Sequence, residues 1–408
     1  MTSPHLSPAH RVHRLRLPDR AGAASARDAD RALLADAPAD HLDTTHFDTV
    51  RFPPPDWALD AFERAARDGG LAYTGYRGHP DVLARVAEGI GALAGIPVDP
   101  DRNVVLTPGT QAALFATLSA LVDDGDGVVL VDPDYLFSER ILRFLGARVE
   151  HVRLSVDDGE PRLDLAALET VLATGRARVL VFSHPNNPTG AVYPPEVLAR
   201  IAELATRYGL SVVVDELYCR LVYDDVAFTH LAALPGMRER VVTLFGPSKT
   251  ESLSGYRLGV VVGPAGVMDG IEDVLSIMSL RAPGYAQHVL WPWLHDDHGW
   301  LGRRLAEFRT LRELTAAHLG RLPWLSWRPQ GGTAYAWPDV TALGLPGPEV
   351  AHRLLREAGM LVSPGYQFGP GSAGHFRVCF ARDERMWDRA LERAVAVLDR
   401  LAREHGVG

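Results

Sequence analysis

The chain has 408 residues, of which 47% are apolar, so it can bury a large core divided between two domains. Its formal net charge of −9 excludes a basic surface for nucleic acid or for an acidic membrane. Two cysteines are too few for a disulfide framework, and no apolar run reaches the ~18–20 residues of a membrane span, so we expect a cytoplasmic protein.

The first 40 residues contain one helix-like patch, ARDADRALLADA, and we expect an N-terminal arm or extra helix over 1–40. Further along, short β-branched runs alternate with segments of helical length. These runs are NVVLT, GVVLVD, RVLVF, SVVVD and VVTLF, which begin at residues 103, 127, 178, 211 and 241. Buried strands that alternate with helices predict a mostly parallel sheet covered on both faces, with its ligand at the carboxyl ends of the strands.

The pattern changes after about residue 290, where the chain becomes rich in helices. This part carries two strand candidates, TAYAWP and HFRVCFA, and ends in a long helix that starts near Arg385. We therefore predict a large domain over 60–290 and a smaller α+β domain built from 41–59 and 291–408.

Lys249 is the only lysine of the chain, so the other 41 of the 42 basic side chains are arginine. Arginine keeps its proton at ordinary pH, whereas a lysine can lose it and form a Schiff base with an aldehyde. Compositional drift explains the missing lysines, but it does not explain why the survivor lies in a Ser-Lys-Thr turn between two buried strands. The position predicts a catalytic lysine.

Four other stretches accompany the lysine loop SKTESLSGYRLG, namely LTPGTQAAL, SHPNNPTGAVY, VVVDELYCR and HFRVCFA. In order and spacing, over roughly residues 70–385, they resemble the class I/II aminotransferases, pyridoxal-phosphate enzymes of fold type I. The resemblance implies an α/β fold with a mostly parallel, seven-stranded type of sheet between helices and a smaller α+β domain. It also implies pyridoxal 5′-phosphate as the cofactor and no metal.

The resemblance assigns roles around the cofactor ring. Lys249 would hold the cofactor as an internal aldimine, and Asp215 would keep the pyridine nitrogen protonated, which makes the ring an electron sink. Tyr218 and Asn187 would hydrogen-bond the phenolic oxygen. Tyr135 would stack on the ring, with an ordinary core aromatic as the alternative. A helix cap at the aspartate and a plain turn at NNPTG are the alternatives for those motifs.

The resemblance also implies a phosphate site where a strand runs into a helix. Free backbone amides at a helix start bind phosphate, and an arginine can add a bidentate pair. The residues concerned are Gly109, Thr110, Gln111, Ser248 and Arg257. Tyr73 matches a tyrosine that relatives lend to the phosphate of the neighbouring subunit, which implies a homodimer with shared active sites. Arg377 matches the arginine that binds the substrate α-carboxylate.

The segment LDTTHFDTVRFPPPDW departs from the family pattern, since Thr44, Thr45 and His46 stand where relatives carry a glycine. Thr45 and His46 are candidates for substrate binding, because bulkier polar residues there would reshape the pocket. Gly246 lacks a hydroxyl that often touches the phosphate. Arg281 is either a residue that meets an acidic substrate group or a plain helix-end charge. These departures put simple transamination in doubt.

The leading hypothesis is an aminotransferase that acts on an α-amino acid, in which the freed Lys249 moves the α-proton of a Cα-carbanion (quinonoid) intermediate. The alternative shares the carbanion and continues to β- or γ-elimination, replacement, or carbon–carbon bond formation. That alternative includes cyclising enzymes that use S-adenosylmethionine as the amino-acid substrate. A regulator with an aminotransferase-like sensor domain is disfavoured, because only about 40 residues precede the domain, the overall charge of the chain is acidic, and the sequence has no helix-turn-helix pattern.

Overall fold

The computed structural model describes residues 9–35, 37–70, 72–156, 159–223, 226–295 and 299–407. Residues 1–8 of the predicted arm lie outside this part. The strands are β1 (Leu42–Asp43), β2 (Val104–Thr107), β3 (Gly127–Asp132), β4 (Arg148–Ser155), β5 (Arg162–Leu163), β6 (Ala177–Ser183), β7 (Ser211–Asp215), β8 (Val241–Phe245), β9 (Gly259–Val262), β10 (Tyr335–Ala336), β11 (Met360–Leu361), β12 (Ser363–Pro364) and β13 (Phe376–Cys379).

Helices flank these strands along the whole described chain. They are α1 (His10–His13), α2 (Pro18–Ala21), α3 (Ala26–Ala35), α4 (Trp57–Arg67), α5 (Pro80–Ala94), α6 (Thr110–Leu121), α7 (Ser138–Leu145), α8 (Leu165–Ala173), α9 (Pro195–Tyr208), α10 (Ala265–Met278), α11 (Gly284–Gln287), α12 (Trp300–Leu319), α13 (Gly347–Ala358) and α14 (Glu384–Glu404). Within the residues that the structure describes, no helix combines the length and the apolarity needed to cross a bilayer.

The central sheet has the strand order β2-β9-β8-β7-β6-β3-β4-β5. Strands β8, β7, β6, β3 and β4 pair in parallel, while β9 runs antiparallel between β2 and β8. The two-residue β5 adds an antiparallel edge to the seven longer strands. All five strands predicted from β-branched runs lie in this sheet, which confirms the mostly parallel α/β architecture.

The sheet is buried on both faces because its apolar side chains alternate between two cores. In β3, Val128 and Leu130 pack in the core that contains residues of α6 and α10. Val129 and Val131 point the other way, into the core with residues of α8 and α9. Successive strand residues face opposite sides, so a continuous apolar run fills both layers.

The C-terminal part builds a separate core around β10, β12 and β13, which form a three-stranded antiparallel sheet. Trp387 of α14 is fully buried there and donates from Nε1 to the Thr315 hydroxyl of α12 at 2.8 Å. The early strand β1 pairs in parallel with β11, so Leu42 lies opposite Met360. This pairing suits the predicted small domain of 41–59 and 291–408, and the domain boundaries stay a prediction.

The N-terminal arm contacts both parts of the molecule. Its helix α3 covers most of the helix-like patch. Arg20 forms an ion pair with Glu139 beside the central sheet. Asp30 accepts hydrogen bonds from Tyr366 at 3.2 Å and from Gln367 at 2.7 Å, next to β12. The arm therefore ties α7 to the C-terminal part.

Candidate active site

The predicted site residues meet at one edge of the central sheet. Strands β2, β3, β6, β7 and β8 all point the same way, so their carboxyl ends share that edge. Arg257 precedes the antiparallel strand β9, so it starts from the same edge. The residues that end or follow the parallel strands are Gly109, Thr110, Gln111, Tyr135, Asn187, Asp215, Tyr218, Ser248 and Lys249.

Lys249 lies in the turn that follows β8 and is partly buried. Its Nζ atom is 5.5 Å from the ring centroid of Phe47, in the segment that departs from the family pattern. The positive charge of Lys249 lowers the pKa of Asp215, so the amine and the carboxylate act on each other. The structure therefore brings the single lysine and the predicted aspartate into one site.

Asp215 carries a perturbed carboxylate at the end of β7. Burial raises its pKa to about 6, against the opposing hydrogen bond from the Leu217 amide. The charge of Glu216 raises it as well, and the charge of Lys249 lowers it. Oδ1 accepts from the Leu217 amide at 3.1 Å, which fixes the orientation of the carboxylate. A buried carboxylate of this kind gains most from a cationic hydrogen-bond partner.

A second group of residues fits an anion. Gly109 has a φ of +90°, and a Cβ atom there would lie 2.3 Å from Nη2 of Arg257, so only glycine allows this approach. Helix α6 begins directly afterwards at Thr110, which leaves the first backbone amides free for a ligand. The hydroxyl of Ser248 is buried and has no hydrogen-bond partner among the described residues.

Arg377 of β13 is 95% buried and is held by two strong hydrogen bonds. Nη1 donates to Oδ1 of Asn187 at 2.6 Å, and Nη2 donates to the carbonyl of Thr45 at 2.6 Å. Its guanidinium carbon lies 4.1 Å from the ring centroid of Tyr335 and 4.8 Å from that of Phe368. A guanidinium fixed in this way can receive a carboxylate with a defined geometry.

Two tyrosines of the site keep their protons at neutral pH. Burial raises the pKa of Tyr218 well above its ordinary value, and its hydroxyl lies 3.0 Å from that of Tyr335. Burial also raises the pKa of Tyr135, which donates to Oε1 of Gln111 at 2.8 Å. Both hydroxyls therefore keep a hydrogen that they can donate, and neither acts as a base.

Two predicted residues, Thr45 and His46, present less to the site than expected. The Thr45 hydroxyl donates to Asp43 at 2.6 Å, so only the carbonyl of Thr45 contacts Arg377. The exposed ring of His46 lies 3.5 Å from Asp43. Tyr73, which is predicted to serve the neighbouring subunit, is 84% exposed, and its ring lies against Arg281. Substrate binding by the side chains of Thr45 and His46 stays a prediction.

The sequence interpretation missed Tyr335, Phe47 and Phe368 as members of the site. Tyr335 lies in TAYAWP, which was identified only as a strand. In the antiparallel pair β10–β13, Tyr335 is opposite Cys379, so Arg377 is its diagonal neighbour on the same face. Pairing the two predicted strands with each other would have placed this ring beside Arg377.

Comparison with known proteins agrees with this geometry. Residues 43–393 match the family model of aminotransferase class I and II. The chain belongs to this family. It is therefore a pyridoxal-phosphate-dependent transferase.

This aminotransferase-family chain is similar to proteins with several substrates. It is 33% identical to the arginine–pyruvate transaminase of Pseudomonas aeruginosa, over 76% of this chain and 78% of that protein. It is 31% identical to the aspartate/prephenate aminotransferase of Thermus thermophilus, over 86% and 89%. The crystal structure of an aspartate aminotransferase from Rhodobacter sphaeroides superposes with a TM-score of 0.86 and 37% identity, over 89% of this chain and 93% of that one.

The residues of this chain fit pyridoxal phosphate at three separate points. The glycine cradle at Gly109, the guanidinium of Arg257 and the unpartnered hydroxyl of Ser248 suit a phosphate. The buried carboxylate of Asp215 suits a protonated pyridine nitrogen. Lys249 supplies the amine that an aldehyde requires.

Proposed function

We propose that this protein is an aminotransferase that acts on an α-amino acid and that Lys249 forms its covalent link to pyridoxal phosphate. One observation carries the proposal. The only lysine of the chain follows β8 at the same sheet edge as an anion cradle, a buried aspartate and a fixed arginine. No other lysine of the chain competes for the role.

In this proposal, specific residues bind each part of the cofactor. Arg257, Ser248 and the amides that follow Gly109 hold the phosphate, and Asp215 binds the pyridine nitrogen. Tyr218 and Asn187 donate to the phenolic oxygen, and the ring of Tyr135 covers one face. When bound, pyridoxal phosphate supplies a ring that withdraws electrons from the substrate α-carbon.

The substrate is oriented by its carboxylate. Arg377 receives the α-carboxylate, and its contacts with Asn187 and Thr45 fix the plane of the guanidinium. We assign to the Lys249 amine the transfer of the proton at the α-carbon. Phe47 lies 5.5 Å from this amine and keeps water away from it.

We also propose that the protein works as a homodimer. Tyr73 is 84% exposed and stacks on Arg281, whose guanidinium carbon lies 4.7 Å from the ring centroid. A groove of about 600 Å³ opens at Arg257 and is lined by Tyr256 and Tyr285. An exposed tyrosine on one subunit and an open groove at the phosphate site of the other suit a shared active site. Sedimentation that finds only monomer at all concentrations would contradict the dimer.

The covalent link is tested by borohydride reduction of the purified holoprotein, followed by peptide mass spectrometry. Because the chain has one lysine, a reduced cofactor on a lysine peptide can lie only at Lys249. Lys249→Ala is expected to lose the visible absorbance, the tagged peptide and turnover. Lys249→Arg is the matched control, which keeps the charge but cannot form the link. A variant that retains the tag and turnover would refute the assignment.

Reaction type is tested by incubation with single amino acids and mass spectrometry of the products. Transamination predicts a released keto acid together with the amino form of the cofactor. Elimination, replacement or cyclisation predicts a product whose side chain has changed, without a stoichiometric amino form of the cofactor. The same screen identifies the substrate.

A further inference from the structure

We propose that Tyr335 is a positioning residue of the reaction, whose hydroxyl orients Tyr218 and whose ring holds Arg377 in place. The inference rests on the proposed function, because it takes Tyr218 and Arg377 as the contacts of the cofactor and the substrate. It assigns two separable tasks to one side chain.

The hydroxyl of Tyr335 lies 3.0 Å from the hydroxyl of Tyr218. Each hydroxyl has a single hydrogen to donate. If Tyr218 uses its hydrogen for the phenolic oxygen of the cofactor, the bond between the two tyrosines must be donated by Tyr335. A tyrosine that accepts a hydrogen bond is polarised and becomes a stronger donor, and Tyr335 is therefore assigned to strengthen Tyr218.

The ring of Tyr335 is one of two aromatic faces against the guanidinium of Arg377. The guanidinium carbon lies 4.1 Å from the centroid of Tyr335 and 4.8 Å from that of Phe368. Both distances are within the range of cation–π attraction, which is stronger in a buried site. Arg377 is 95% buried, so the two rings limit how far it can swing when a carboxylate arrives.

The ring of Tyr335 is itself fixed. Phe47 meets it edge-to-face, with centroids 5.6 Å apart and an interplanar angle of 86°. The backbone amide of Tyr335 donates to the Thr333 hydroxyl at 3.2 Å. Phe47 also lies next to Lys249, so the ring of Tyr335 contacts both Arg377, which would bind the substrate carboxylate, and the aromatic neighbour of the lysine amine. Fixed neighbours are what a positioning role requires.

Two variants separate the tasks. Tyr335→Phe removes the hydroxyl and keeps the ring. Tyr218 then stabilises the negative charge on the phenolic oxygen less, and the pH midpoint of the holoenzyme's visible absorbance is expected to rise by about 0.5–1 pH unit. The KM for the amino acid is expected to stay within about 2-fold of wild type. Tyr223→Phe is the matched control, since it removes another buried hydroxyl, which donates to the Thr333 carbonyl.

Tyr335→Met removes the aromatic face at similar volume. The KM is expected to rise about 3- to 30-fold because Arg377 loses the cation–π contact. A midpoint for Tyr335→Phe that is unchanged or lower than wild type overturns the hydroxyl task, and an unchanged KM for Tyr335→Met overturns the ring task. If Tyr335→Met does not fold, the pH midpoint of Tyr335→Phe decides whether Tyr335 is a positioning residue. A wild-type protein that shows no visible absorbance after reconstitution with pyridoxal phosphate refutes the proposed function instead.

Discussion

The replacement Asp215→Asn isolates the electrostatic cost of the partly buried carboxylate. Burial raises the pKa of Asp215 from 3.8 to about 6. The folded protein therefore holds this proton to higher pH than the unfolded chain does, and the free energy of unfolding falls as the pH rises from about 4 to 6. Asparagine has no charge to desolvate, and its Oδ1 can still accept from the Leu217 amide.

The size of the effect follows from the shift. A difference of about 2 units between the folded and unfolded pKa of Asp215 corresponds to about 3 kcal/mol in the free energy of unfolding. Solvent reaches this partly buried group, which reduces the contribution to about 1–2 kcal/mol. We expect Asp215→Asn to stabilise the cofactor-free protein at pH 8. The gain in the free energy of unfolding over wild type should grow between pH 4.5 and about 6.5 and then stay constant.

Urea unfolding of the cofactor-free protein, followed by tryptophan fluorescence, measures this gain at each pH. Asp60→Asn is the control, since Asp60 is an exposed aspartate of α4. The same variant should bind pyridoxal phosphate more weakly than wild type, because the pyridine nitrogen loses its ionic partner. A gain that does not change with pH would refute the electrostatic argument, even if the variant were more stable.

Two further changes test the phosphate cradle and the arm. Gly109→Ala is expected to destabilise the protein by about 1–2 kcal/mol and to weaken cofactor binding more than tenfold. The control Gly125→Ala has a similar φ of +85° with nothing within 4 Å, so spectrophotometric titration should show unchanged cofactor affinity. Glu139 is buried, which alone raises its pKa, but His151 and Arg20 lower the pKa to about 2. Its ionised form therefore stabilises the fold above pH 4.5, and this contribution is lost as the pH falls towards 2. Glu139→Gln should cost about 1–3 kcal/mol at pH 7 and little near pH 2 in urea titrations, and an equal loss at both pH values would contradict the ion-pair explanation.

Some elements escaped sequence reasoning because their local pattern is ambiguous. β4 reads RVEHVRLS, in which exposed charged residues alternate with less exposed ones, and it was not identified as a strand. β9, with the sequence GVVV, is the buried strand expected after the lysine turn, although it was not among the five β-branched runs. β4 needs its sheet neighbours to be recognised, since strand preference depends on packing against the adjacent strand.

The sequence by itself determined the buried strands of the central sheet and the chemical identity of Lys249. Continuous β-branched runs indicate strands that are buried on two faces, and a single lysine indicates the residue that can form an imine. Neither inference depends on residues that are distant along the chain. Tertiary structure alone decided how Arg377 is held, because Asn187 and Thr45 are 190 and 332 residues away along the chain. It also decided the place of Tyr335, since periodicity shows which residues are buried but not which side chain each one meets.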